Sequence, residues 1–157
     1  MHPLSSVFEK NIPSVFERLE AMQQCADAGY PIRAVIMPII PVNNWQDIYA
    51  GFLNQVLKTV PLTRITLGQV CSYPAAVQLM ELKLGRQNLI SGTLEKERSE
   101  DGRLRFPAKL RIEIYRHLIG TIKAKCSDLQ IGLCLEDEDI FKALNMREAI
   151  GCCNCVL

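Results

Sequence analysis

The chain has 157 residues, a formal net charge of +1, 48% hydrophobic and 22% charged residues. This balance excludes a disordered or collagen-like polypeptide and supplies enough apolar material for one core. A nearly neutral chain has no global field to draw it to nucleic acid or membrane, so any such role must rest on a local patch.

Residues 1–10 lack the basic start and apolar stretch of a secretory leader. The longest apolar run, Ala34 to Val42, carries Pro38 and Pro41 and is too short to span a bilayer. The expectation is a soluble, cytoplasmic protein with no membrane partner. Seven cysteines, an odd number, argue against a disulfide framework in such a chain. Cys25, Cys71 and Cys126 read as small core residues.

In chain order, Ser14 and Glu17 form a capping box. Phe16, Leu19, Met22 and Ala26 follow at helical spacing, and Gly29 closes the helix. Ile32 to Met37 reads as a strand buried on both faces and ended by Pro38. Asn44 is placed to cap a helix whose apolar face runs from Trp45 through Tyr49 and Leu53 to Leu57. Arg64 to Val70 reads as a strand. Pro74 opens a helix to about Leu84, with Gly85 as its stop.

Asn88 to Lys96 and Arg103 to Phe106 read as two strands around a turn at Glu100–Gly102. Pro107 opens a long helix with Leu110, Ile114, Tyr115, Leu118 and Ile122 on one face. Gln130 to Leu135 is a last strand, and Glu136 to Asp139 place four carboxylates at the start of a final helix, where they suit its dipole. Strands alternating with helices imply a parallel sheet with right-handed crossovers. An order that begins on a helix implies sheet on the N-terminal side of that helix.

Several segments carry a resemblance. They are Phe8 to Ala21; Ala28-Gly29-Tyr30-Pro31-Ile32 through Met37-Pro38-Ile39-Ile40, with Trp45 opening the next helix; Ile65 to Gly68; Glu113 to Arg116; and Leu133-Cys134-Leu135-Glu136 with a terminal Cys-Asn-Cys. In this order the chain resembles the family of spore photoproduct lyases and their DNA-repair-photolyase-like relatives. The resemblance implies an α/β fold, the C-terminal part of an incomplete (β/α)6 radical S-adenosylmethionine barrel with an added β-hairpin and a C-terminal strand and helix. It also implies one domain over residues 1–157, with the partial barrel over about 1–85 and the hairpin and C-terminal region over about 86–157.

In that family a C-x3-C-x2-C motif holds a 4Fe-4S cluster. The cluster reduces S-adenosylmethionine to a 5′-deoxyadenosyl radical that opens a thymine dimer. No three cysteines here have that spacing. The expectation is therefore a C-terminal portion without the cluster ligands or the hydrogen-donor cysteine. It would be inactive alone, would partner DNA and the N-terminal half of the barrel in cis or in trans, and would associate readily through its free sheet edge.

Three candidate sites follow. Met37 and Pro38 end a parallel strand, where ligands bind, and the resemblance places the backbone there against the adenine of the cofactor; the plain alternative is a buried strand meeting a proline turn. Lys96, Arg98, Arg103, Arg105 and Lys109 surround the hairpin that the resemblance turns toward DNA. From Arg86 to Arg111 there are seven Lys/Arg against four Asp/Glu, an excess of three that suits phosphate contact, with Phe106 for an apolar contact. The same interleaving equally suits a solvated hairpin. Cys152, Cys153 and Cys155 include one C-x2-C pair, joined by Cys134 as a further thiol, which suits a metal; packed or exposed thiols are the alternative. His117 reads as a boundary residue. A different class stays open: a stand-alone binding module whose cysteine tail holds a metal, separated from the first reading by whether the chain folds alone.

Overall fold

The computed structural model describes residues 9, 11–86, 88–95 and 99–153. Helix α1 spans Val15–Asp27 and begins with the expected capping box: the Glu17 N–H donates to Ser14 Oγ at 3.2 Å, and the Ser14 N–H donates to Glu17 Oε2 at 2.7 Å. Its packing differs from the sequence pattern. Phe16 is exposed, and Leu19 is the buried residue, set against Val56 and Val60.

Strand β1 covers Ile32–Ile39 and continues through Pro38, with a cis Met37–Pro38 peptide, rather than stopping before it. Nor is it buried on both faces. Ala34 and Ile36 are covered, while Val35 and Met37 between them are 55% and 39% exposed. The alternation arises because helices cover only one face of the sheet at this strand.

Helix α2 spans Trp45–Thr59. Asn44 precedes it in a left-handed conformation, and its side chain makes no cap bond; the turn closes through the backbone, from the Trp45 N–H to the Val42 carbonyl. Next come β2 (Leu62–Gln69), the short β3 (Cys71–Ser72) and α3 (Pro74–Leu84), which ends at Gly85 with φ +88°. The strand expected over Asn88–Lys96 is instead a run of turns through its described residues. Asn88 Oδ1 accepts from the N–H groups of Ile90 and Ser91 at 3.0 and 3.1 Å, a local Asx turn that competes with extended pairing. The hairpin survives in a looser form. β4 is only Leu104–Arg105 and pairs antiparallel with β3. The Glu95 and Ser99 N–H groups donate to the carbonyls of Arg105 and Arg103.

Helix α4 (Ala108–Lys125), β5 (Gln130–Leu133), α5 (Glu138–Ala143) and a 3-10 turn at Arg147–Ala149 complete the described chain. The main sheet has the order β1-β2-β5, parallel throughout. Register places Ala34 beside Ile65 and Ile65 beside Ile131, then Ile36 beside Leu67 and Leu67 beside Leu133. These side chains form one face, and Tyr49, Leu53, Ile114 and Leu118 from α2 and α4 close over it.

The opposite face carries Val35, Thr66 and Gly132 in adjacent strands. At β5 this face is covered by the chain's own tail. A Cβ on Gly132 would lie 2.6 Å from the Cys152 carbonyl oxygen and 3.1 Å from the Cys153 Cα. The three cysteines expected in the core lie further out, Cys25 exposed and Cys71 and Cys126 half-buried, whereas Cys134, weighed as a further metal thiol, is buried. Among the described residues no helix is long and apolar enough to cross a membrane.

Candidate functional site

The carboxyl ends of β2 and β5 meet a buried polar cluster. Gln69 ends β2, and its Nε2 donates to the Arg111 carbonyl at 2.9 Å. Arg111 Nη1 donates to Glu136 and, at 3.0 Å, to Asp137 Oδ2, while Tyr115 Oη donates to the other Glu136 oxygen at 2.7 Å. Burial pushes the Glu136 carboxyl up from its ordinary value; the Arg111 charge and the Tyr115 hydroxyl pull it back. Burial, reinforced by the Glu136 charge, raises the Tyr115 phenol, so it stays protonated and keeps donating. The cluster fastens the segment after β5 to α4; Arg111 and Glu136 are closed to solvent, while the Asp137 side chain reaches it.

Sequence reading missed this cluster. It took Glu136 as one of four carboxylates at the start of a helix, whereas α5 begins two residues later and Glu136 turns inward. One signal was available: Arg111 sits four residues before Tyr115 and seven before Leu118, on the buried stripe of α4.

The hairpin cations divide. Arg105 is buried, donates to both carboxylate oxygens of Asp101 at 2.8 and 2.6 Å, and reaches the Leu135 carbonyl at 3.1 Å. It ties the turn to the end of β5 and offers no free surface charge, because desolvating a guanidinium requires a partner of this kind. Leu135 holds its carbonyl there from a left-handed backbone, φ +56°. Arg103 shares Asp101 at 2.7 Å and lies over the Tyr73 ring, 4.9 Å from its centroid. The Arg105 and Arg103 guanidiniums hold the Asp101 carboxyl well below the usual carboxylate range. Lys109 is exposed. Lys96 and Arg98 lie outside the described residues. Phe106, expected as an outward apolar contact, is fully buried with Ile40, Val70 and Ile90.

Met37 and Pro38 lie at the end of β1. The Met37 side chain folds across the sheet onto Gly68, with Sδ 2.8 Å from where a Cβ on that glycine would stand. Two residues beyond Pro38, the Ile40 N–H donates to the buried Tyr49 hydroxyl at 2.8 Å, and burial pushes that phenol up to about 12. Along β1 runs a groove of about 600 Å³ whose walls include Leu19 and Met22 of α1, Phe52 of α2 and Met80 and Leu84 of α3.

The remaining candidates stand apart. Cys152 is exposed, Cys153 is half-buried and Cys155 lies outside the described residues. Among the described residues no three His, Cys, Asp or Glu side chains are placed to share a metal. His117 sits edge-on to Trp45, its Nε2 3.2 Å from the Gln46 carbonyl, a half-buried boundary position.

A parallel sheet with crossover helices on one face, an opposite face exposed at β1 and covered at β2 and β5, and polar closure at its carboxyl ends defines an α/β protein of the crossover-connected class. The family described as spore photoproduct lyase matches residues 3–68. Solved structures of spore photoproduct lyase share the fold. One complexed with dinucleoside spore photoproduct superposes with a TM-score of 0.70 at 18% identity, covering 83% of this chain and 42% of its own. A variant with bound AdoMet and dinucleoside spore photoproduct gives 0.65 at 18%, covering 77% and 38%. No curated protein sequence matches the chain. The chain is therefore similar to the spore photoproduct lyase family, and it spans about two fifths of the length of the solved structures it matches.

Proposed function

We propose that this chain is the C-terminal portion of a spore photoproduct lyase-like radical S-adenosylmethionine protein that acts on thymine-dimer-type DNA lesions. Its sheet would form one segment of an incomplete (β/α)6 barrel. The observation that carries the reading is the fold match, which takes in most of this chain but less than half of each lyase. The family match at residues 3–68 supports it independently.

The residues present do not fit the iron–sulfur cluster: the C-x3-C-x2-C spacing is missing, and no three-ligand group occurs among the described residues. The cluster belongs to the other segment of the barrel, and the free chain is inactive in this reading. They do fit a part of the cofactor pocket. The groove beside Met37 and Pro38 is largely apolar and reaches the end of a parallel strand, as a site for adenine requires. S-adenosylmethionine, when bound, supplies the radical chemistry; Met37 and Pro38 help to seat it and exclude water.

DNA approaches the hairpin. Arg103 and Lys109 are the available cations, Lys96 and Arg98 would extend the set, and Arg105 holds the hairpin in place from within. The test is binding of a thymine-dimer oligonucleotide to the Arg103→Glu/Lys109→Glu double variant. Loss of two phosphate contacts predicts weaker binding, with the salt slope reduced by about 2. Affinity and slope equal to the wild type would remove the hairpin from the interface.

A further inference from the structure

Basic side chains gather at the amino ends of the sheet without matching acids. Register sets Arg33 of β1 beside Arg64 of β2, and Arg64 beside Gln130 of β5. Side chains alternate along a strand, so these three share the face of Val35, Thr66 and Gly132, two residues further on in each strand. Like charges side by side in adjacent strands repel. Yet neither arginine forms an ion pair among the described residues. Arg64 leans toward β5, its Nε and Nη2 donating to Gln130 Oε1 at 3.1 and 2.9 Å, and its Nη1 has no hydrogen-bond partner among the described residues.

A cavity of about 450 Å³ opens beside this row. Arg64 and Gln130 line it together with Lys123 of α4, Glu148 of the 3-10 turn and the apolar Ile119 and Ile131. Lys123 Nζ donates to the Ser127 and Leu129 carbonyls at 2.6 and 3.0 Å, so one of its three N–H groups is left over. Glu148 is exposed and is the sole carboxylate among the described lining residues. With Arg33 next in register, the place carries an excess of two positive charges.

We infer that this cavity binds a small phosphate monoester. Its nearly doubly charged phosphate matches the excess, whereas a carboxylate would leave one charge uncompensated. The Nη1 group of Arg64 presents donors of the kind that pair phosphate oxygens. The volume exceeds a phosphate group alone and lies in the range of small-ligand sites. Ile119 and Ile131 offer apolar wall to the organic part of the ester. The site lies at the opposite end of the sheet from Met37 and Pro38, and it does not rest on the lyase reading.

The experiment is calorimetric titration of the full chain with phenyl phosphate, inorganic phosphate and benzoate at constant ionic strength. Saturable one-to-one binding is expected, tightest for phenyl phosphate. Losing a charge-assisted hydrogen bond in Arg64→Met should weaken it about tenfold or more. Screened charges act more weakly, so Arg33→Met should weaken it, and Glu148→Gln strengthen it, by about threefold. Thermal unfolding checks that each variant folds. Should Arg64→Met fail, Gln130→Leu removes the group that orients Arg64 and is expected to weaken binding in its place. Equal affinity for phenyl and inorganic phosphate would mean an adventitious ion only and overturn the ester site. Benzoate binding as tightly as phenyl phosphate would overturn the phosphate assignment. No binding, or binding indifferent to all these substitutions, would remove the site altogether.

Discussion

The two sides of this molecule obey different rules. Where α2 and α4 pack on β2 and β5, Leu53, Ile65, Leu67, Ile114, Leu118 and Ile122 are completely buried. Around β1 and α3, by contrast, Val35, Leu79, Leu82 and Leu84 are each more than half exposed, although their residue types are just as apolar. Composition therefore does not separate the two regions; the presence of a packing partner does. An apolar side chain contributes to stability only when something covers it.

The sharpest way to break this comparison is to truncate one leucine on each side. Leu118→Ala opens a cavity in a sealed core and is expected to cost about 2–5 kcal/mol. Leu82→Ala removes a side chain that touches mostly solvent and should stay within about 0.5 kcal/mol of the wild type. Urea unfolding of both variants tests the pair, and equal losses would mean that α3 is packed as tightly as α4.

A smaller effect is expected at β5, where the tail takes the place of a packing layer. Gly132→Ala puts a methyl group 2.6 Å from the Cys152 carbonyl, so the tail has to move. The expected cost is about 1–3 kcal/mol, with a rise in the reactivity of the half-buried Cys153 toward a thiol reagent. Unchanged reactivity would show that the tail does not rely on the glycine.

The smallest effect concerns the hairpin. Asp101 is held below its usual value of 3.8, first by Arg105 and then by Arg103. Its contribution to stability is thus present above pH 3.8 and is lost as pH falls through the lower folded value. Asp101→Asn should lose that contribution at neutral pH and show a shallower acid limb in thermal unfolding followed against pH. Because the Asp101 side chain is 36% exposed, solvent screens the interaction. Parallel pH profiles for variant and wild type would place the hairpin's anchorage elsewhere.

Local signals in the sequence were read well where a short-range mechanism set the structure. Ser14 with Glu17, Pro74 at the start of α3 and Gly85 at its end each act over a few residues, and each was legible. Reading failed where distant residues decide. The one-sided burial of β1 depends on which face the helices cover; the turns after Asn88, by contrast, are a local signal that was not read, a side chain that bonds its own backbone. The inward turn of Glu136 depends on Arg111 and Tyr115, more than twenty residues earlier. Of the candidate cations, charge alone identified Arg103 and Arg105 equally; only the fold separates an arginine stacked on Tyr73 from one enclosed between Asp101 and Leu135.

The passage of the tail over Gly132 has a consequence for traffic. With Cys152 and Cys153 laid against Gly132 of β5 and Thr66 of β2 almost fully buried, the exposure of this face at their level among the described residues lies at β1, where Val35 and Met37 reach solvent. Anything that reaches this face at that level therefore meets it at β1, near the end that carries Met37 and Pro38.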